Sequence, residues 1–78
     1  MGLRIRLKFP EELIQEPVVF TMAAKFNVVP NIRRARVTET VGEMILELEG
    51  APADVDKGIR FLRERGVEVN LIEGDVIE

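Results

Sequence analysis

The stretch VVPNIRRARVTETVGEMILELEG, residues 28–50, reads as a β-hairpin at the centre of the chain. Two strand-forming runs, 32–38 and 44–48, flank a polar turn that ends in Gly42, and Pro30 and Gly50 fence the pair off from its neighbours. In the second run Met44, Leu46 and Leu48 fall on one face and Glu43, Ile45, Glu47 and Glu49 on the other. In the first, Ala35 and Val37 share a face, Arg34, Arg36 and Thr38 share the opposite one, and Ile32 is out of phase. A bulge near Arg33 reconciles them.

Working outward from the hairpin, each flank carries one helix and one strand. Before it, Leu3, Ile5, Leu7 and Phe9 alternate with Arg4, Arg6 and Lys8, a period of two that predicts a strand ended by Pro10. After the acidic link Glu11-Glu12, Pro17 suits the first turn of a helix whose apolar stripe is Val18, Val19, Met22, Ala23 and Phe26, with Asn27 as a left-handed stop. Beyond the hairpin, Pro52 opens a second helix with Asp54 and Asp56 near its positive end and Val55, Ile59 and Leu62 along its buried stripe. Phe61 lies partly off that stripe, and Gly66 is the expected left-handed cap. Val67, Val69 and Leu71 then predict a last strand, followed by an acidic tail over 74–78.

The order is therefore βαββαβ. Two split βαβ units with right-handed crossovers give an α+β, ferredoxin-like fold: a four-stranded antiparallel sheet of order 4-1-3-2 with both helices on one face. The other face is left bare. There Arg4, Arg6 and Lys8 are expected beside Glu43, Glu47 and Glu49 in an opposite-charge lattice.

Seventy-eight residues predict a single domain over 1–78. There is no cysteine, hence no disulfide framework or thiolate metal site, and the N-terminal residues 1–10 fit neither a signal peptide nor a membrane span, which points to a cytoplasmic location. A net charge of −3 weakens any case for nucleic-acid binding, and the outward sheet positions lack the aromatics on which bases stack. Histidine, tyrosine and tryptophan are all absent, and the carboxylates show no spacing of a shared site, so an enzyme is not expected. The acidic pairs and clusters, Glu11-Glu12 and 73–78, lack the alternating ligands and central glycine of a calcium loop, so neither a metal nor another cofactor is expected.

Two features could hold a small ligand. Arg33, Arg34 and Arg36 could grip a carboxylate, or simply keep an edge strand charged against aggregation. Asn31, held after Pro30 at the mouth of a strand, offers amide donors and an acceptor to a zwitterion, or serves as an ordinary turn residue.

Phe26-Asn27-Val28, then Asn31-Ile32, Gly42 before the third strand, Gly50 after it and Gly66-Val67-Glu68-Val69 together resemble the NIL domain. That family is the small module at the C-terminus of bacterial methionine-importer ATPase subunits, is related to the amino-acid-sensing ACT domains, and also occurs beside ferredoxin modules. The resemblance implies a ferredoxin-like regulatory domain that pairs as a homodimer and binds methionine or a similar small amino acid. It implies ligand contact at Asn31, with Val29, Pro30 and Ile32 shaping the wall around it, while Arg33 stands where the family motif has an apolar third residue. No GxxxxGK[ST] loop exists, so the chain is expected to be a free-standing module or a piece of a longer protein, without the ATPase. The alternative expectation is an adaptor that docks by a sheet edge onto a redox, transport or sulfur-amino-acid biosynthesis partner and has no ligand of its own.

Overall fold

The computed structural model describes the backbone of residues 2–14 and 16–77, and the side chains of that set as far as residue 72. Strand β1 (Gly2–Phe9) is followed by a 3-10 turn (Glu11–Leu13), helix α1 (Val18–Phe26), strands β2 (Val29–Val37) and β3 (Gly42–Glu49), helix α2 (Pro52–Glu64) and strand β4 (Glu68–Ile77). The sheet runs β2-β3-β1-β4 with every neighbouring pair antiparallel, which is the expected 4-1-3-2 order read from the other edge.

The alternation in β1 and β3 decides which way the sheet faces. Leu3, Ile5 and Leu7 pair with Leu48, Leu46 and Met44, so one face of the central strands is continuously apolar. Onto it pack Val18 and Met22 of α1 and Val55, Ile59 and Leu62 of α2, with Val28, Val67 and Val69 closing the core. The helices cross where Gly58 lies against Met22; a Cβ there would stand 2.8 Å from the Met22 sulfur, closer than a side chain tolerates. Phe61, which falls off the α2 stripe, meets Phe26 with ring centroids 5.6 Å apart and so joins the two helices at their outer edge.

The helix ends follow from the residues placed there. Asn27 takes the left-handed conformation (φ 57°, ψ 47°) that ends α1, and Gly66 (φ 100°) turns the chain from α2 into β4. Pro17 immediately precedes α1 rather than lying in its first turn.

Three expectations are revised. β2 begins at Val29, so Pro30 lies inside the strand instead of fencing it off; an edge strand accommodates proline because the missing donor can fall on the unpaired side. β4 continues through Ile77, taking in most of the stretch expected as an acidic tail. Gly2 and Leu3 pair with Ile77 and Val76, while residues 72–75 lie opposite Arg4 alone, a register shift that breaks the alternation by which a strand is recognised. The charge lattice is also thinner than expected: Arg4 faces Glu47 and Lys8 faces Glu43, but Arg6 faces Ile45 and Glu49 faces Gly2. The bulge expected near Arg33 is present between Ile32 and Arg34.

Candidate functional site

The helices pack over the central strands and leave β2 largely uncovered. Every residue of β2 is exposed except the half-buried Pro30, and Val29 and Ile32 expose 62% and 55% of their surface. This strand carries all four residues expected at a ligand, and cross-strand pairing fixes where each one points. Val29 and Asn31 pair with Glu49 and Glu47 and lie on the open face of the sheet. Pro30 and Ile32 pair with Leu48 and Leu46 and lie on the helix side. The four are contiguous in sequence but straddle both faces of an edge, so within one chain they do not enclose a pocket. The Asn31 side chain makes no hydrogen bond among the described residues.

Directly across from Asn31, Glu47 is the one buried charged residue among the described residues, 9% exposed on the open face. Arg4 donates to its carboxylate through Nη2 at 2.6 Å, and Arg33 approaches the same oxygen through Nε at 3.4 Å. The hydrogen bond from Arg4 holds the Glu47 carboxyl below the usual carboxylate range; partial burial opposes this, and the nearby charges of Arg33 and Arg4 add to it. A lowered native pKa means that the unfolded chain binds the proton more readily. This contribution to stability is therefore present at neutral pH and is lost as pH falls from about 4.3, the ordinary glutamate value, through the lower native one. Thermal melts across that range are expected to show a wild-type decline of which Glu47→Gln lacks this portion. Parallel profiles for the two proteins would contradict it.

At the far end of β2 the surface opens into an apolar groove of about 130 Å3 lined by Phe9, Leu13, Pro17, Val18, Val37 and Met44 among others. Glu16 on its rim is the one charged side chain of the lining and is bonded to Arg65, so the groove presents no basic side chain to pair with the carboxylate of an amino acid. Sequence reasoning had no sign of it, because Phe9 and Val37 read as ordinary strand residues. Two members of the arginine run named as a possible carboxylate grip, Arg33 and Arg34, line a hollow of about 290 Å3 on the open face together with Arg4, Ile45 and Ile72; Arg36 does not. The expected bulge was the signal for it, but only its register shows which side chains it gathers.

No group of three or more carboxylates among the described residues is placed to hold a metal ion, and the cluster at 73–78 lies outside the described side chains. No helix among the described residues is long and apolar enough to cross a membrane.

A four-stranded βαββαβ sheet with a bare face and an exposed, arginine-bearing edge makes this a ferredoxin-like module. The chain belongs to the NIL domain family, whose model matches residues 3–71. It is 36% identical over 69 residues to a methionine import ATP-binding protein of Acinetobacter baylyi, covering 83% of this chain and 20% of that protein. A methionine import ATP-binding protein of Symbiobacterium thermophilum is 31% identical over 75 residues, covering 91% of this chain and 23% of its own length. The chain thus spans about a fifth of the length of the curated relatives it matches. The crystal structure of the C-terminal domain of an ABC transporter ATP-binding protein from Enterococcus faecalis superposes with a TM-score of 0.81 at 22% identity, covering 95% of this chain and 87% of that one. This likeness establishes the shared fold.

Proposed function

We propose that this single domain, residues 1–78, is a non-catalytic sensor that binds methionine or a closely similar amino acid in the cytoplasm and reports its level to a transporter or related partner. The ligand contact is Asn31, with Val29, Pro30 and Ile32 around it, and a second copy supplies the wall that one chain lacks. The observation that supports this reading is the setting of Asn31, which lies on an uncovered edge strand with its amide unsatisfied among the described residues and Glu47 across from it. A homodimer formed across such an edge would cover Val29 and Ile32 and close the site.

Titration with methionine tests it. A ligand that binds only the folded state stabilises it by about 2.7 kcal/mol at a hundredfold excess over Kd, so a clear rise in melting temperature and a saturable heat are expected. A folded protein that shows neither at millimolar methionine is not a methionine sensor.

The uncovered edge strand favours one second reading, a ligand-free adaptor that adds a partner's strand to β2. In that case a partner protein would slow amide exchange in β2 with no amino acid present, and methionine would leave the exchange unchanged.

A further inference from the structure

The geometry points to Arg33 and Arg34 as a carboxylate-holding subsite, an inference that rests on the amino-acid-binding reading of Asn31 and specifies how the ligand's acidic end is held. In a regular strand, consecutive side chains alternate between faces, and a pair of adjacent arginines would point apart. Here the register slips between Ile32 and Arg34, leaving Arg33 as the extra residue. Both arginines consequently line the same hollow on the open face, with the side chains of Ile45 and Ile72 and with Arg4, which is engaged with Glu47.

The two guanidinium groups differ in what already occupies them. Arg33 leans on Glu47 through Nε, and its terminal nitrogens make no hydrogen bond among the described residues. Arg34 is exposed and makes no ion pair or hydrogen bond among the described residues. Glu47, held ionised by Arg4, fixes one side of Arg33 and leaves the other available. Two planar donor groups on one side of a strand, next to two aliphatic side chains, match a small molecule that ends in a carboxylate and carries a short aliphatic body. The apolar groove at the other end of β2 offers the second property without the first. Asn31 lies two residues from Arg33 on the same face, so an α-amino acid seated here would have its carboxylate between the arginines and its remaining polar group toward the Asn31 amide. The arginine at the third motif position thus acquires a role in recognition.

The test uses three probes on the intact chain: methionine, methioninol, in which the carboxylate is replaced by a hydroxymethyl group, and pentanoate, which has a carboxylate and aliphatic body but no ammonium. Wild type is expected to prefer methionine to methioninol by about tenfold or more, the range of a charge-assisted hydrogen-bonded contact, and to show pentanoate-dependent amide shifts centred on residues 33 and 34. Arg34→Gln should erase both effects. Arg34→Lys, which keeps the charge but not the planar fork, should retain only part of the preference. Because Arg34 is exposed and unbonded among the described residues, both variants are expected to melt with the wild type. Unchanged methionine affinity in Arg34→Gln overturns the subsite and leaves the sensor reading standing. Pentanoate binding at residues 33 and 34 without any amino-acid binding supports the subsite and removes the sensor reading. A folded protein that binds none of the three overturns both.

Discussion

Replacing Asn31 by alanine is expected to weaken methionine binding by at least about tenfold while moving the melting temperature of the unliganded protein very little. The asymmetry comes from where the side chain lies. It is exposed on an edge strand and makes no hydrogen bond among the described residues, so its removal breaks nothing that holds one chain together. An exposed substitution of this kind changes stability by about 0.5 kcal/mol or less, whereas a lost amide contact to a charged ligand group costs about 1.5–3 kcal/mol of affinity. Calorimetric titration and a thermal melt of the same sample check both halves. A large fall in melting temperature would instead assign Asn31 a structural part in the entry to β2.

The second large effect separates two residues that face each other. Leu46 and Ile32 are cross-strand partners on the helix side of the sheet, yet Leu46 is fully buried and Ile32 is more than half exposed. Leu46→Ala is expected to cost about 2–5 kcal/mol, the range for a cavity left by a buried leucine. For a domain this small, whose total stability is of order 0.05–0.15 kcal/mol per residue, such a loss removes a large share of the total. Ile32→Ala is expected to cost less than about 1 kcal/mol at low protein concentration. Urea midpoints with unchanged slopes measure both. If the exposed edge is covered in a homodimer, the cost of Ile32→Ala will grow as protein concentration is raised, because association is linked to folding by mass action.

The general architecture was legible because its signals are local. Alternation at Leu3 to Phe9 and at Met44 to Leu48, the stop at Asn27 and the cap at Gly66 each depend on neighbours a few residues away, and together they specify strands, helices and order. What escaped depends on pairing between distant segments. The extension of β4 is stabilised by Gly2 and Leu3 at the other end of the chain, and nothing in residues 73–77 themselves alternates to announce it. The same holds for the site. Val29 to Ile32 form a contiguous motif in sequence, but only the register with β3 shows that they divide between two faces, and only the slip beside Arg33 brings two successive arginines to one hollow. The apolar groove could not be read at all, since it is defined by where the helix layer ends.

That β2 is largely uncovered also separates two kinds of constraint on this sequence. Residues of β3 and β1 are held by a close-packed interior in which a change of one methylene group is felt, so their identities are tied to the survival of the fold. Those of β2 are nearly free of that requirement: Asn31, Arg34 and Arg36, exposed side chains, can be exchanged with little cost to one folded chain. If recognition resides on β2, as proposed, it is open to change independently of stability, because substitutions on this exposed strand leave the core intact.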